Sequence, residues 1–119
     1  MAAPNIAATT NIIGKLDTAA VTTSMQVMVS NPASSGKVYK INTLFAVNVT
    51  GATATDMHIS LFRGSSEVPI IRFTAVPADA TLVVISKDNP LWLEEGDSIK
   101  AQAGANGRTV ILCSYEIIS

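Results

Sequence analysis

Few side chains in this sequence have the chemistry to react, and their spacing limits what they could do. His58 is the only histidine and Cys113 the only cysteine among 119 residues. A thiolate nucleophile needs a base within hydrogen-bond reach, and His58 is the one imidazole able to supply it. His58 sits in Met57-His58-Ile59, where a polar residue between apolar ones reads as an ordinary strand position. Cys113 lies in Val110-Ile111-Leu112-Cys113-Ser114-Tyr115, a pattern in which a free cysteine behaves as a small buried hydrophobe. One acidic cluster, Glu94, Glu95 and Asp97, offers the oxygen ligands that calcium takes. Its glutamates fall on a turn, where side chains point to solvent, and EF-hand spacing is absent. Glycoside hydrolysis by paired carboxylates calls for a groove lined with aromatics. The chain has six aromatics, with Tyr39, Trp92 and Tyr115 far apart in sequence. Gly104-Ala105-Asn106-Gly107 precedes a strand, so no helix N-terminus awaits a phosphate. Asn48-Val49-Thr50 matches a glycosylation sequon, a coincidence in a chain without a signal peptide. The expectation is a protein with no catalytic residue, no cofactor and no metal.

The elements that must position these residues follow from composition and period. Twelve Ile, eleven Val and twelve Thr give 35 β-branched residues, whose stiff χ1 rotamers favour the pleated strand. The sixteen Ala could argue for helix, but many sit beside Thr, Gly, Pro and Asp in loop-like runs such as Thr50-Gly51-Ala52-Thr53-Ala54-Thr55-Asp56. Residues 11–17 read as a weak strand interrupted by Gly14. Residues 22–30 alternate, with Thr23, Met25, Val27 and Val29 on one face, and a loop at Asn31-Pro32 follows. Residues 37–49 form the longest strand, with Tyr39, Ile41, Thr43, Phe45, Val47 and Val49 inward and Lys40, Asn42 and Asn48 outward. Residues 56–63 place Met57, Ile59 and Leu61 inward, and Pro69 marks 67–75 as an edge strand or a bulged one. The apolar run at 81–86 suits a strand covered on both faces. Leu91-Trp92-Leu93 is followed by a turn at Glu94–Asp97 and a strand at 98–103. Asn106-Gly107 is the preferred pair for a two-residue hairpin turn into 109–117. The core is expected at Phe45, Val47, Met57, Ile59, Leu61, Val84, Ile99 and Ile111. Short strands without room for crossover helices predict an all-β antiparallel sandwich, jelly roll or Greek key, of about eight strands. Residues 1–10 are small and polar and read as an N-terminal arm; residues 11–119 read as one sandwich domain.

Charge narrows the function. Eight Lys+Arg against nine Asp+Glu give a formal net charge of −1, without the basic stripe that phosphate neutralisation needs, so nucleic acid is not an expected partner. No stretch approaches a membrane-spanning length of apolar residues, and a lone cysteine excludes an internal disulfide. Only 14% of residues are charged, against about 25% in an average soluble domain. A monomer of this size exposes on the order of 6,000 Å², and so little charge on it invites association. Such a surface suits a component of a larger assembly.

Several segments carry a resemblance. Val76-Pro77-Ala78-Asp79-Ala80-Thr81-Leu82-Val83-Val84-Ile85 and Asn89-Pro90-Leu91-Trp92-Leu93-Glu94-Glu95-Gly96-Asp97-Ser98-Ile99 resemble runs in small virion proteins of tailed bacteriophages. Ala33-Ser34-Ser35-Gly36-Lys37-Val38-Tyr39-Lys40-Ile41 and Ser114-Tyr115-Glu116 are similar to the same group. The resemblance implies a non-enzymatic cement or decoration protein that binds the outer surface of the head as an oligomer. Its expected partner is the major capsid protein or another virion protein, its location the virion, and its preferred state a trimer suited to local three-fold positions. The alternative is a receptor- or carbohydrate-binding module, or another neck, tail or fibre accessory.

Overall fold

The computed structural model describes residues 11–119. They form nine strands: β1 (Ile12–Val21), β2 (Gln26–Ser30), β3 (Val38–Asn48), β4 (Thr55–Arg63), β5 (Ser66–Val76), β6 (Thr81–Ile85), β7 (Leu91–Leu93), β8 (Asp97–Ala103) and β9 (Thr109–Ile118). The expected all-β antiparallel sandwich is what these residues form, and among them no helix is long and apolar enough to cross a membrane. The arm expected at residues 1–10 lies outside the described residues.

Two sheets face each other. Sheet A runs β1-β9-β3-β6, with β7 pairing the first part of the β3 edge that β6 pairs further on. Sheet B runs β2-β8-β4-β5. One set of antiparallel pairs is nested along the chain: β4 with β5, β3 with β6 and β7, β2 with β8, β1 with β9. The pairs β3–β9 and β4–β8 join them within each sheet. Ile41, Leu44, Ala46, Ile111 and Cys113 of sheet A meet Val29, Met57, Ile59, Ile99 and Ala101 of sheet B in one apolar core.

Bulges correct the expected faces. An extra residue in β3 shifts its register against β9 between Ile41 and Thr43. Beyond that point Leu44, Ala46 and Asn48 turn inward, and Phe45 and Val47 turn outward. Phe45 and Val47 are therefore not core residues, and Asn48 is. In β2 the same device, between Val27 and Val29, leaves Val27 exposed while Val29 is buried. Residues 22–25 precede the strand that was expected to begin at 22, and β1 runs on to Val21 instead of ending near 17. Met57, Ile59, Ile99 and Ile111 are buried as expected, with Leu61 and Val84 packed partly against them.

Two more expectations change. β6 is an edge strand of sheet A whose Val83 is 55% exposed, so its apolar run is not covered on both faces within one chain. Asn106-Gly107 does not close a hairpin: β8 lies in sheet B and β9 in sheet A, and the loop carries the chain across. Gly107 alone of the pair has positive φ, and the Asn106 Oδ1 accepts from the backbone N–H of Thr23. Pro69 does lie in an edge strand, where a register shift between Ile59 and Ser60 absorbs it.

Candidate functional site

The strand geometry separates the two residues that nucleophilic chemistry would join. Cys113 faces the core from sheet A, whereas His58 faces outward from sheet B. Burial, with Asp17 adding to it, pushes the Cys113 thiol up to about 12, so it stays protonated at neutral pH.

His58 instead belongs to a polar cluster on the outer face of sheet B. Alternation along β4 puts His58, Ser60 and Phe62 on that face, and the β4–β5 hairpin sets Glu67 opposite Phe62. The hairpin turns through Gly64 and Ser65, with Gly64 at φ +65°, the conformation glycine adopts without strain. Ser60 Oγ and Glu67 Oε2 both approach His58 Nε2, at 2.9 and 2.7 Å, and Ser60 Oγ donates to Glu67 Oε2. The Ser60 hydroxyl first, then His58, holds the Glu67 carboxyl below the usual carboxylate range. Serine, histidine and a carboxylate are thus in contact, but in the wrong order for acyl transfer. A relay needs the hydroxyl on one ring nitrogen and the acid on the other. Here both share Nε2, and Nδ1 is buried without a partner. The triangle ties β4 to β5.

Phe73 covers this cluster. Its ring meets the His58 ring edge-on at 4.7 Å, and its backbone sits at φ +48°. A bulky residue in the left-handed region is strained, and here the strain accompanies the second register shift of the hairpin, between Met57 and Ile59. The pairing of β4 with β5 was not foreseen to do this. The signals were there: His58-x-Ser60 alternation and a Gly-Ser turn that fixes register nine residues apart.

The acidic cluster is divided among structural partners. Asp97 is only 1% exposed and accepts from Arg63 Nε at 2.9 Å and Nη2 at 2.8 Å, and from the Glu94 backbone N–H. Arg63 lowers the Asp97 carboxyl and also reaches Glu94 at 2.7 Å. Glu95 turns away to accept from the Gly36 N–H. Among the described residues, no group of three His, Cys, Asp or Glu side chains is placed to hold a metal.

The remaining candidates serve the scaffold. The sequon's Asn48 is buried, its amide donating to the carbonyls of Thr53 and Val76. Asn31 does the same for Lys37 and Leu93, anchoring the loops at one end of the sandwich. Tyr39 and Tyr115 stack at 5.5 Å, and the Tyr115 hydroxyl donates to Asp17. Trp92 stands apart on the outer face of sheet A, with Lys40 Nζ 5.8 Å from its ring. Among the described residues, the structure has no pocket.

What that outer face carries was missed from sequence. In register across sheet A lie Leu112, Phe45 and Val83, and beside them Val110 and Val47. Leu16 of β1, opposite Ser114, is 60% exposed. Charge appears at one end, where Lys40 and Glu116 are cross-strand partners.

No family model matches the chain, and no curated protein matches it. Among solved structures it is similar to one described as the crystal structure of a pentameric capsid protein isolated from metagenomic phage sequences, with a TM-score of 0.37 and 14% identity. The match covers 89% of this chain and 59% of that one, so the chain spans about three-fifths of that capsid protein's length.

Proposed function

We propose that this chain is a non-enzymatic structural protein of a virion, a cement or decoration protein that binds the outer surface of the head as an oligomer, with a trimer as the preferred state. One observation carries the reading. Nine large hydrophobic side chains among the described residues, from Ile12 to Trp92, are 38–60% exposed on a surface with little charge. Five of them, Ile12, Ile13, Leu16, Val83 and Trp92, lie on strands of sheet A, and a contiguous apolar surface marks an interaction face. The nested antiparallel pairs support the jelly-roll form of the sandwich, a scaffold that presents faces and edges without needing a pocket. The sequence resemblance to small phage virion proteins supports the same reading. In it, residues 11–119 are the sandwich, residues 1–10 add contact beyond it, and no residue is catalytic or binds metal or cofactor.

Quantitative mass spectrometry of purified particles tests this. The expected result is the chain at a copy number comparable with the major capsid protein. A chain absent from particles overturns the reading. The alternative, a receptor- or carbohydrate-binding module, is favoured by the exposed ring of Phe73. Retention on immobilised glycans that Phe73→Ala abolishes would establish it.

A further inference from the structure

We infer that the outer face of sheet A is a self-association surface, buried in the working protein against a second copy of this chain. This rests on the assembly reading above and names the surface and the partner. An antiparallel sheet with one solvated face alternates apolar in and polar out. Sheet A departs from this over a contiguous patch: Phe45, Val47, Val83, Val110 and Leu112 face outward from three adjoining strands, and Leu16 extends the patch onto β1. β6 shows the conflict most clearly. Its sequence is that of a strand covered on both sides, yet in one chain Val83 is 55% exposed. The missing cover must come from outside the sandwich.

Charge and area argue for a copy of the same chain. The face carries one cation and one anion, Lys40 and Glu116, side by side in register. A copy therefore meets it without like-charge repulsion, whereas a strongly acidic or basic partner would find no complement. Four strands at about 4.8 Å spacing and ten residues at about 3.3 Å give roughly 600 Å² in projection. Two such faces packed on each other close as a two-fold pair burying about 1,200 Å², enough for a stable contact. This surface therefore makes a dimer, the state next in preference to the trimer. Twisted sheets pack face to face at about 10 Å, the separation that interdigitating Leu, Val and Phe side chains fill.

Sedimentation equilibrium on the full chain tests the assignment. The wild type should sediment as a closed multiple of 12.4 kDa. Leu16→Glu and Val83→Glu should each weaken association at least about tenfold, because a carboxylate would be buried unpaired. Both side chains are more than half exposed in one chain, so circular dichroism, and the unfolding midpoint of the dissociated chain, should not change. Val27→Glu, an equally exposed valine on the outer face of sheet B, should leave association intact. A monomeric wild type, or assembly insensitive to Leu16→Glu and Val83→Glu, overturns the inference. So does a chain that loses assembly on deletion of residues 1–10 but not on Val83→Glu. A monomer still found in particles would sink this inference and spare the virion reading; an oligomer absent from particles would do the reverse.

Discussion

The outer faces of the two sheets share one backbone geometry and differ in how their side chains are satisfied. On sheet B the outward positions of β4 and β8 hold His58, Ser60, Phe62, Ser98, Lys100 and Gln102, most of which find partners within the chain. The Lys100 ammonium lies 4.2 Å from the Phe62 ring centroid, Gln102 donates to the Thr23 carbonyl, and the His58–Ser60–Glu67 triangle closes the hairpin. On sheet A the outward positions of β3, β6 and β9 include Phe45, Val47, Val83, Val110 and Leu112, which water cannot satisfy. Thr43, Thr81 and Ser114 lie among them, with Lys40 and Glu116 at one end. A polar outer face completes itself inside a chain; an apolar one is complete only in contact. The difference makes the outer face of sheet A the proposed contact surface, although the His58–Ser60–Glu67 cluster lies on sheet B.

The largest expected effect is a reference for both faces. Ile59→Ala, at a fully buried inward position, should cost about 2–5 kcal/mol in chemical denaturation. Phe45→Ala should cost the dissociated chain well under that, since its ring lies on the outer face; an equal loss would mean that sheet A's outer face is already covered within one chain.

Next come the polar ties. Arg63→Ala removes two hydrogen bonds from the buried Asp97 carboxylate and should lower the midpoint of chemical denaturation. Ser60→Ala, which leaves Glu67 and His58 facing each other alone, should cost about 1–2 kcal/mol. A neutral Ser60→Ala would show that sheet B's outer face is no better satisfied than sheet A's.

Acid should sharpen the contrast. Glu67 and Asp97 both have folded-state carboxyls depressed below their ordinary values, by Ser60 and by Arg63 respectively. Their stabilisation is present above the unfolded carboxylate range, near pH 4, and is lost as pH falls through the lower folded values. Unfolding midpoints measured from pH 7 to 2 should fall, and Glu67→Gln should flatten that acid limb. The smallest effect is expected at Phe73. Glycine there relieves a left-handed strain of about 1–2 kcal/mol but forfeits an aromatic contact of about 0.5–1.5 kcal/mol. The net change in Phe73→Gly should stay within about 1 kcal/mol.

The sandwich was legible in the sequence because period-two alternation and turn residues report on backbone directly. Met57, Ile59 and Ile99 fell on the correct side for that reason. Phe45 and Val47 did not, because Leu44 and Ala46 beside them are equally apolar. With both faces of β3 hydrophobic, the pattern held no information on register, and one extra residue near Asn42 decided it. The apolar outer face was thus the source of the misplacement. Likewise, Asn106-Gly107 predicts a turn but not which strands it joins, and only the global strand order separates β8 from β9. The His58–Glu67 and Arg63–Asp97 contacts depend on pairing across strands, which spacing along one strand does not report.

Hydroxyl-radical footprinting of the native assembly, compared with the dissociated Val83→Glu chain, tests the contrast between the two faces most directly. The account predicts that Leu16, Phe45 and Leu112 are protected in the assembly and become reactive on dissociation, while Phe73 is reactive in both. Equal labelling of Leu16, Phe45 and Leu112 in the two states, or protection confined to Phe73, would contradict it.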